Sequence, residues 1–404
     1  MKILMIAHFL PYPPRGGALQ RNYNLLREIS KDHEVDMITL NQRALLPTRE
    51  EFEESKSTVA KMCRNLQVFD IPSDRSKLLW YLLLLFNLFS FLPYSVWRYR
   101  SGKMMREVKE AIERENYDVV HVDTVDLSQY VLPFPNIPKL LNHHNIESVV
   151  LFRRAGNESN ILKKAYFYLQ AVKLRRYESS VVREFGTNAV VSEQDGAALR
   201  EFAPDAGVTL VPNGVDTEYF HPNNGSNGGP SLIFVASLDW YPNIDAVRYL
   251  INDIWPILKR EIPDCTMDLV GAPPPRFVLD FAEREPDFTV HGFVKDIRPL
   301  VDKSSIYVVP IRVGGGTRLK ILDAMAMGKA VVSTSIGAEG IEVADNEHIL
   351  LADTPDKFVD RIKALFRDEK FRHRIEKSAR DRAVEVYSWL KIAPELVDAY
   401  KRIS

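Results

Sequence analysis

The chain has 404 residues, 46% hydrophobic and 26% charged, with a formal net charge of -1. That length favours two domains with well-filled cores, and the balanced charge argues against a general nucleic-acid binder, which needs a surplus of Lys and Arg on one face. The two cysteines, Cys63 and Cys265, lie far apart in what read as different domains, so neither a disulfide framework nor a metal cluster is expected and a reducing, cytoplasmic setting fits.

The N-terminal stretch MKILMIAHFLPYPP holds an apolar run too short and too poor in basic residues for a signal peptide. It reads as a first strand, over residues 2–8. Further strands are expected at 34–40, 66–71, 118–123, 139–144, 188–192 and 208–214, with helical patterns between them. Such alternation is the sequence form of a parallel sheet flanked by helices. Inside this half, residues 78–97 (LLWYLLLLFNLFSFLPYSVW) are apolar over about the length that crosses a bilayer. Asn87, Ser90, Pro93 and Ser95 interrupt the run, and a crossing here would split one domain, so a buried or membrane-surface helix is expected instead. Residues 152–180 mix Arg153, Arg154, Lys163, Lys164, Lys173, Arg175 and Arg176 with Tyr166, Phe167 and Tyr168. They read either as a solvated basic face or, with 78–97, as a peripheral contact with an anionic membrane.

Residues 221–231 (HPNNGSNGGPS) have the composition of an interdomain linker. A second series of strands follows at 231–237, 266–271, 288–293, 305–310, 330–334 and 348–352. The fold class expected is α/β, with two Rossmann-like domains facing across a cleft at their carboxyl edges. The tail from Thr354 onward is helical in pattern, and its last helix must pack on something.

Two glycine-rich turns carry the chemistry. Gly16 and Gly17, after the first strand, open a helical pattern whose backbone N–H groups could receive a phosphate or a sugar hydroxyl, or could serve only as a tight turn. The sequence there is not G-x-G-x-x-G, which counts against a dinucleotide cofactor. Gly314, Gly315, Gly316 and Thr317 follow the strand SIYVVP and precede a helix whose positive end points at them. Arg318 adds a fork suited to phosphate oxygens and Lys320 a point charge. Lys320 and Asp323 could instead form a helix-surface ion pair, but a surface pair does not need three preceding glycines. No D-x-D pair for a divalent ion is visible, so the expected metal set is none. The pair His143 and His144 stands at a strand end, where a structural role and a functional one are both open, with Glu147 placed to orient His144 or to cap the next helix. His121 and Asp123 end another strand and rank second.

Together these stretches resemble the GT-B glycosyltransferases, specifically the large retaining family 4, over nearly the whole chain. Residues 13–26 resemble its N-terminal glycine loop, VPNGVDTEYFHP (211–222) its interdomain signature, residues 290–310 its run into the donor site, and residues 319–334 the helix and strand that follow. The family's two donor-site glutamates fall here on Gly315 and Asp323. Its usual diphosphate-binding Arg and Lys fall on Ser237 and Pro242, so Arg318 and Lys320 are the expected replacements. The GGTR and Trp-x-Pro-Asn turns resemble a branch associated with exopolysaccharide or capsule sugar transfer.

The resemblance implies domains at 1–220 and 221–385, with a C-terminal helix, 386–404, crossing back to the first. It implies a retaining, metal-independent transferase with no cofactor beyond its UDP- or GDP-sugar donor, and a glycan or lipid-linked acceptor at the inner face of the membrane. Arg318, Lys320, Gly315, Gly316 and Thr317 would meet the diphosphate, Asp323 the ribose and the backbone of Val294 the base. Gly16 and Gly17 would close over the donor, and His144, with His143 as substitute, would meet the sugar or the acceptor hydroxyl. An epimerase of the same fold, or a non-catalytic nucleotide-sugar-binding homologue, is the alternative.

Overall fold

The computed structural model describes residues 1–223, 229–314 and 316–404. The chain forms two compact units, one of Met1–Pro212 with Ile392–Ser404 and the other of Asn213–Lys391. In the first, β1 (Lys2–Ala7), β2 (Glu34–Asn41), β3 (Asn65–Asp70), β4 (Val119–Val122), β5 (Lys139–Asn142), β6 (Thr187–Val190) and β7 (Val208–Leu210) form one parallel sheet. Its order is β3-β2-β1-β4-β5-β6-β7. In the second, β8 (Ser231–Val235), β9 (Thr266–Val270), β10 (Phe288–Gly292), β11 (Ile306–Val309), β12 (Ala330–Ser333) and β13 (Leu350–Leu351) pair in parallel, in the order β10-β9-β8-β11-β12-β13. Each stretch read as a strand forms one.

The inner strands are short and apolar because helices cover parallel sheets on both faces. VVHV in β4, IYVV in β11 and AVVS in β12 are buried at every position. In each sheet the strand order reverses once near the middle, between β1 and β4 and between β8 and β11. Doubly wound sheets bind their ligands outside the carboxyl ends of the strands at that reversal.

The unit boundary lies at Pro212/Asn213, ahead of the 220/221 expected. Residues 213–223 are tied into the second unit by Val215 N donating to Tyr387 O at 2.7 Å, Arg380 Nη1 to Phe220 O at 2.9 Å and Asn223 Nδ2 to Asp302 Oδ2 at 2.8 Å. Residues 224–228 of the glycine-rich stretch, and Gly315, lie outside the described residues. The C-terminal segment joins the first unit from Ile392 rather than from 386. Tyr400 there bonds to His121 Nδ1 at 2.8 Å.

Residues 78–97 do not form a buried helix. They fold as the helices Lys77–Phe89 and Tyr94–Arg98, and Asn87 is the buried residue of the first. Asn87 donates to Leu92 O at 2.8 Å and accepts from Gln170 Nε2 at 2.7 Å, and Lys173 Nζ donates to its carbonyl at 2.6 Å. Residues 152–180 divide between the helices Glu147–Asn157 and Ile161–Val181, the second capped by Asn160, whose side chain accepts from Leu162 N and Lys163 N. Among the described residues, no helix is long and apolar enough to cross a membrane.

Candidate active-site residues

In the first unit the chain leaves β1 at His8 and turns into the helix Gly17–Ile29. Gly16 takes a φ of 89°, where a side chain would be strained, and nothing lies within 4 Å of where its Cβ would stand. Gly17 starts the helix. On the other side of the strand-order reversal, Asp123 follows β4 with its amide on Ile6 O at 2.9 Å, and His144 follows β5.

Asp123 joins these elements. Its Oδ2 accepts from His8 Nδ1 at 2.5 Å, and its Oδ1 accepts from His144 Nε2 and Asn22 Nδ2, both at 2.8 Å. Its carboxylate is buried, 1% exposed. Burial alone would raise its pKa, but the charges and hydrogen bonds of His144 and His8 outweigh that and hold it well below the ordinary carboxylate value. Behind it Asn142 Nδ2 donates to Asp123 O at 3.3 Å, while Asn142 Oδ1 accepts from buried Arg21 through Nε at 3.2 Å and Nη2 at 3.1 Å. Arg21 Nη1 reaches Pro212 O at 2.8 Å. Side chains from the ends of β1, β4 and β5 and from the helix Gly17–Ile29 are joined by this network.

The two neighbouring histidines separate. His143 is buried against Asn188 Oδ1 at 3.1 Å, and burial pushes its pKa down to about 4. His121 is likewise taken up by Tyr400, with a pKa lowered to about 4, chiefly by burial. Glu147 makes no hydrogen bond to His144 among the described residues. It begins the helix Glu147–Asn157 near Asp126 and Glu178, and burial followed by the charges of those carboxylates pushes its pKa up to about 8. Sequence reasoning did not single out His8, Arg21 or Asn22, which the structure brings to Asp123 and Asn142.

In the second unit, the loop after β11 ends in the helix Leu319–Ala326, with Arg318 at its N-cap position. Gly314 has a φ of 109°, and a Cβ there would stand 3.1 Å from Arg318 Nη2 and 3.2 Å from Pro242 Cγ. The close approach of these three residues therefore requires glycine. Arg318 Nη1 donates to Gly316 O. Thr317 Oγ1 is buried and has no hydrogen-bond partner among the described residues.

Lys320 does not pair with Asp323. No ion pair within 4 Å joins them among the described residues, and Lys320 Nζ instead donates to Asn243 Oδ1 at 3.0 Å, 4.9 Å from the Phe234 ring centroid. Asn243 stands in the first turn of the helix Tyr241–Tyr249 that follows β8, where its Nδ2 donates to Ser237 O at 2.7 Å and its amide to Trp240 O at 3.0 Å. The turns on either side of the reversal are thus linked, β8 supplying Asn243 and β11 supplying Lys320. Burial first, and then the charge of Arg318, lower the Lys320 pKa to about 7 against the opposing pull of Asp323. Burial raises Asp323 to about 8, with Lys320 opposing and Asp216 adding to the rise. Two half-buried groups are each held close to neutrality. Val294 stands apart, in the loop after the edge strand β10, with its side chain against the unit's core. Among the described residues no group of three or more His, Cys, Asp or Glu is placed to hold a metal ion.

Two family models match the chain. One, described as Glycosyltransferase Family 4, covers residues 15–219, and the other, Glycosyl transferases group 1, covers residues 229–368. The chain belongs to glycosyltransferase family 4. It is 25% identical over 382 residues to an "Uncharacterized 44.6 kDa protein in cps region" of Klebsiella pneumoniae, spanning 89% of this chain and 90% of that one. It is 24% identical to the phosphatidyl-myo-inositol mannosyltransferase of Mycobacterium tuberculosis, over 78% of this chain and 82% of the relative. Among solved structures, HepE of Anabaena in complex with UDP superposes over 100% of both chains with a TM-score of 0.67 at 15% identity, a likeness of fold. The two Rossmann-like sheets are accordingly those of the GT-B architecture, and the protein is a glycosyltransferase that takes its sugar from a nucleotide-sugar donor. In this transferase Arg318 and Lys320 stand on a loop and helix inside the group 1 match.

Proposed function

We propose that this glycosyltransferase moves a sugar from a UDP- or GDP-sugar, with retention of configuration and without a metal ion or other cofactor, to a glycan or lipid-linked acceptor in cell-surface polysaccharide synthesis at the cytoplasmic side of the membrane. The observation that carries the reading is the placement of Arg318 and Lys320 at the start of the helix Leu319–Ala326, beside the β8/β11 reversal. Fixed cations and a helix N-terminus stabilise the charge that grows on a departing diphosphate. In this reading Gly316, Thr317 and the helix start hold its oxygens, Asp323 holds the ribose, Val294 lies along the base and Gly16 with Gly17 contacts the donor from the first unit. His144, oriented by Asp123, meets the sugar or the acceptor.

Retention follows a front-face course. The acceptor oxygen bonds to the anomeric carbon as that carbon's bond to the phosphate oxygen breaks, and the acceptor proton passes to the leaving phosphate. Such a course uses no carboxylate nucleophile. The UDP bound by HepE, the acceptor in the name of the mycobacterial mannosyltransferase and the cps region of the Klebsiella relative support the donor, acceptor and pathway respectively.

Thermal-shift titration against UDP, GDP, ADP and CDP, with and without EDTA, tests the donor site. Stabilisation by UDP or GDP that survives EDTA is expected, since a ligand preferring the native state raises its stability by about 2.7 kcal/mol at a hundred times its Kd. A shift that EDTA abolishes overturns metal independence, and no shift with any nucleotide overturns the donor assignment. NMR of the product's anomeric configuration decides retention. Conversion of the donor without acceptor would mark an epimerase.

A further inference from the structure

The helix Lys77–Phe89 is apolar nearly all round and largely exposed. Its polar Asn87 faces the protein, bonded to Gln170 and Lys173 of the helix Ile161–Val181, while Leu78, Leu82, Leu85 and Phe89 recur along the exposed side. Phe89 is 84% exposed, Phe91 beyond it 95%, and Leu162 at the start of the neighbouring helix 79%. Exposed apolar side chains in this number mark an interaction surface.

Charge identifies what it meets. Residues 76–106 hold Lys77, Arg98, Arg100, Lys103 and Arg106 and no acidic residue, and residues 148–177 hold seven basic residues against the single acid Glu158. The whole chain, by contrast, has a net charge of -1. Lys77, Lys163 and Lys164, exposed on the two helices that carry the apolar side chains, add positive charge to this part of the surface. A second copy of the chain docking by a two-fold axis would set this basic rim against itself. At 13 residues the helix is about 20 Å long, short of the roughly 30 Å of a bilayer's hydrocarbon core. Apolar side chains flanked by cations, on a helix too short to span, suit the interface of an anionic bilayer.

We propose that the face formed by the helix Lys77–Phe89, Phe91 and the start of the helix Ile161–Val181 docks on an anionic lipid surface, with the helix lying in the plane of the headgroups. This surface belongs to the first unit, and the donor residues Arg318 and Lys320 belong to the second. The docking holds whichever sugar is transferred.

Flotation of the full chain with vesicles of phosphatidylcholine, with or without phosphatidylglycerol, tests it, because aggregated protein does not float. Flotation with the anionic vesicles is expected, at least about tenfold above that with phosphatidylcholine alone, and reduced by salt. Leu82→Glu with Leu85→Glu, at exposed positions, should lower the bound fraction about tenfold or more while leaving the thermal shift with UDP or GDP unchanged. Lys163→Gln with Lys164→Gln should weaken anionic preference only. Equal flotation of the Leu82→Glu/Leu85→Glu variant, or no flotation of the parent chain, overturns the proposal. So does a parent dimer that this variant dissociates, since a second copy would then cover the face. Failure of nucleotide binding with intact flotation would instead count against the donor site alone.

Discussion

The edge beside β1 and β4 and the edge beside β8 and β11 occupy the same topological position in two sheets of like order, yet they are built from opposite chemistry. At the first, a buried carboxylate gathers three donors, so the charge of Asp123 is met inside the protein. At the second, Lys320 has only a neutral amide at 3.0 Å, and Thr317 Oγ1 is left without a partner among the described residues. The strand order sets where a ligand edge lies, and the loops decide whether that edge is self-satisfied or waits for an anion. The first edge should therefore fail through folding and the second through binding.

The sharpest separation comes from Asp123→Ala, which strips acceptors from Asn22, His8 and His144 together. A loss of about 2–4 kcal/mol in urea unfolding is expected, since removing the ionised partner of buried donors costs more than an average contact. An unchanged midpoint would erase the contrast between the edges. Arg318→Ala should instead lower kcat/KM by about 2 kcal/mol or more, roughly 30-fold, with a much smaller effect on unfolding. Steady-state kinetics indistinguishable from the parent would remove the diphosphate assignment.

A pH series sharpens the second edge further. A bound diphosphate favours charged Lys320, so its pKa in the complex lies above the value of about 7 in the free protein. Below pH 7 both states hold the proton and affinity is flat. Above it, binding must take up a proton, and affinity falls by up to about tenfold, or 1.4 kcal/mol, per unit. Ionisation of Asp323, held up to about 8, works in the same direction. Isothermal titration in two buffers of different ionisation heat checks the proton uptake, and Lys320→Met should flatten the profile. The smallest effect belongs to Asn243→Ala, which should cost about 1 kcal/mol in nucleotide affinity by releasing the Lys320 ammonium. An equal loss in the Lys320→Met background would show that Asn243 acts by another route.

How far the sequence was legible follows the same division. The strands could be read because buried parallel strands must be short apolar runs between polar turns, and AVVS or IYVV leave no other period. Arg318 and Lys320 could be read because cations directly after three glycines are out of place on an ordinary surface helix. The Asp123 cluster could not, since its partners come from residues 115, 101 and 21 positions away. A carboxylate at a strand end looks the same whether or not distant histidines return to it. His143 and His144 are adjacent in sequence and similar in composition, and the alternation of side chains along an extended backbone sends one to Asn188 and the other to Asp123. The run 78–97 left a buried and a surface helix both open for a related reason. Apolarity alone does not distinguish a core helix from one that turns its apolar side outward, and the orientation depends on a single asparagine meeting a partner 83 residues on.

The carboxylate shared by His8 and His144 also fixes hydrogen-bond polarity. An ionised Asp123 accepts only, so the ring nitrogen that each histidine turns toward it carries the hydrogen. With neutral rings, Nε2 of His8 and Nδ1 of His144 are left as lone-pair acceptors, matched to a partner rich in hydroxyl donors, such as a sugar.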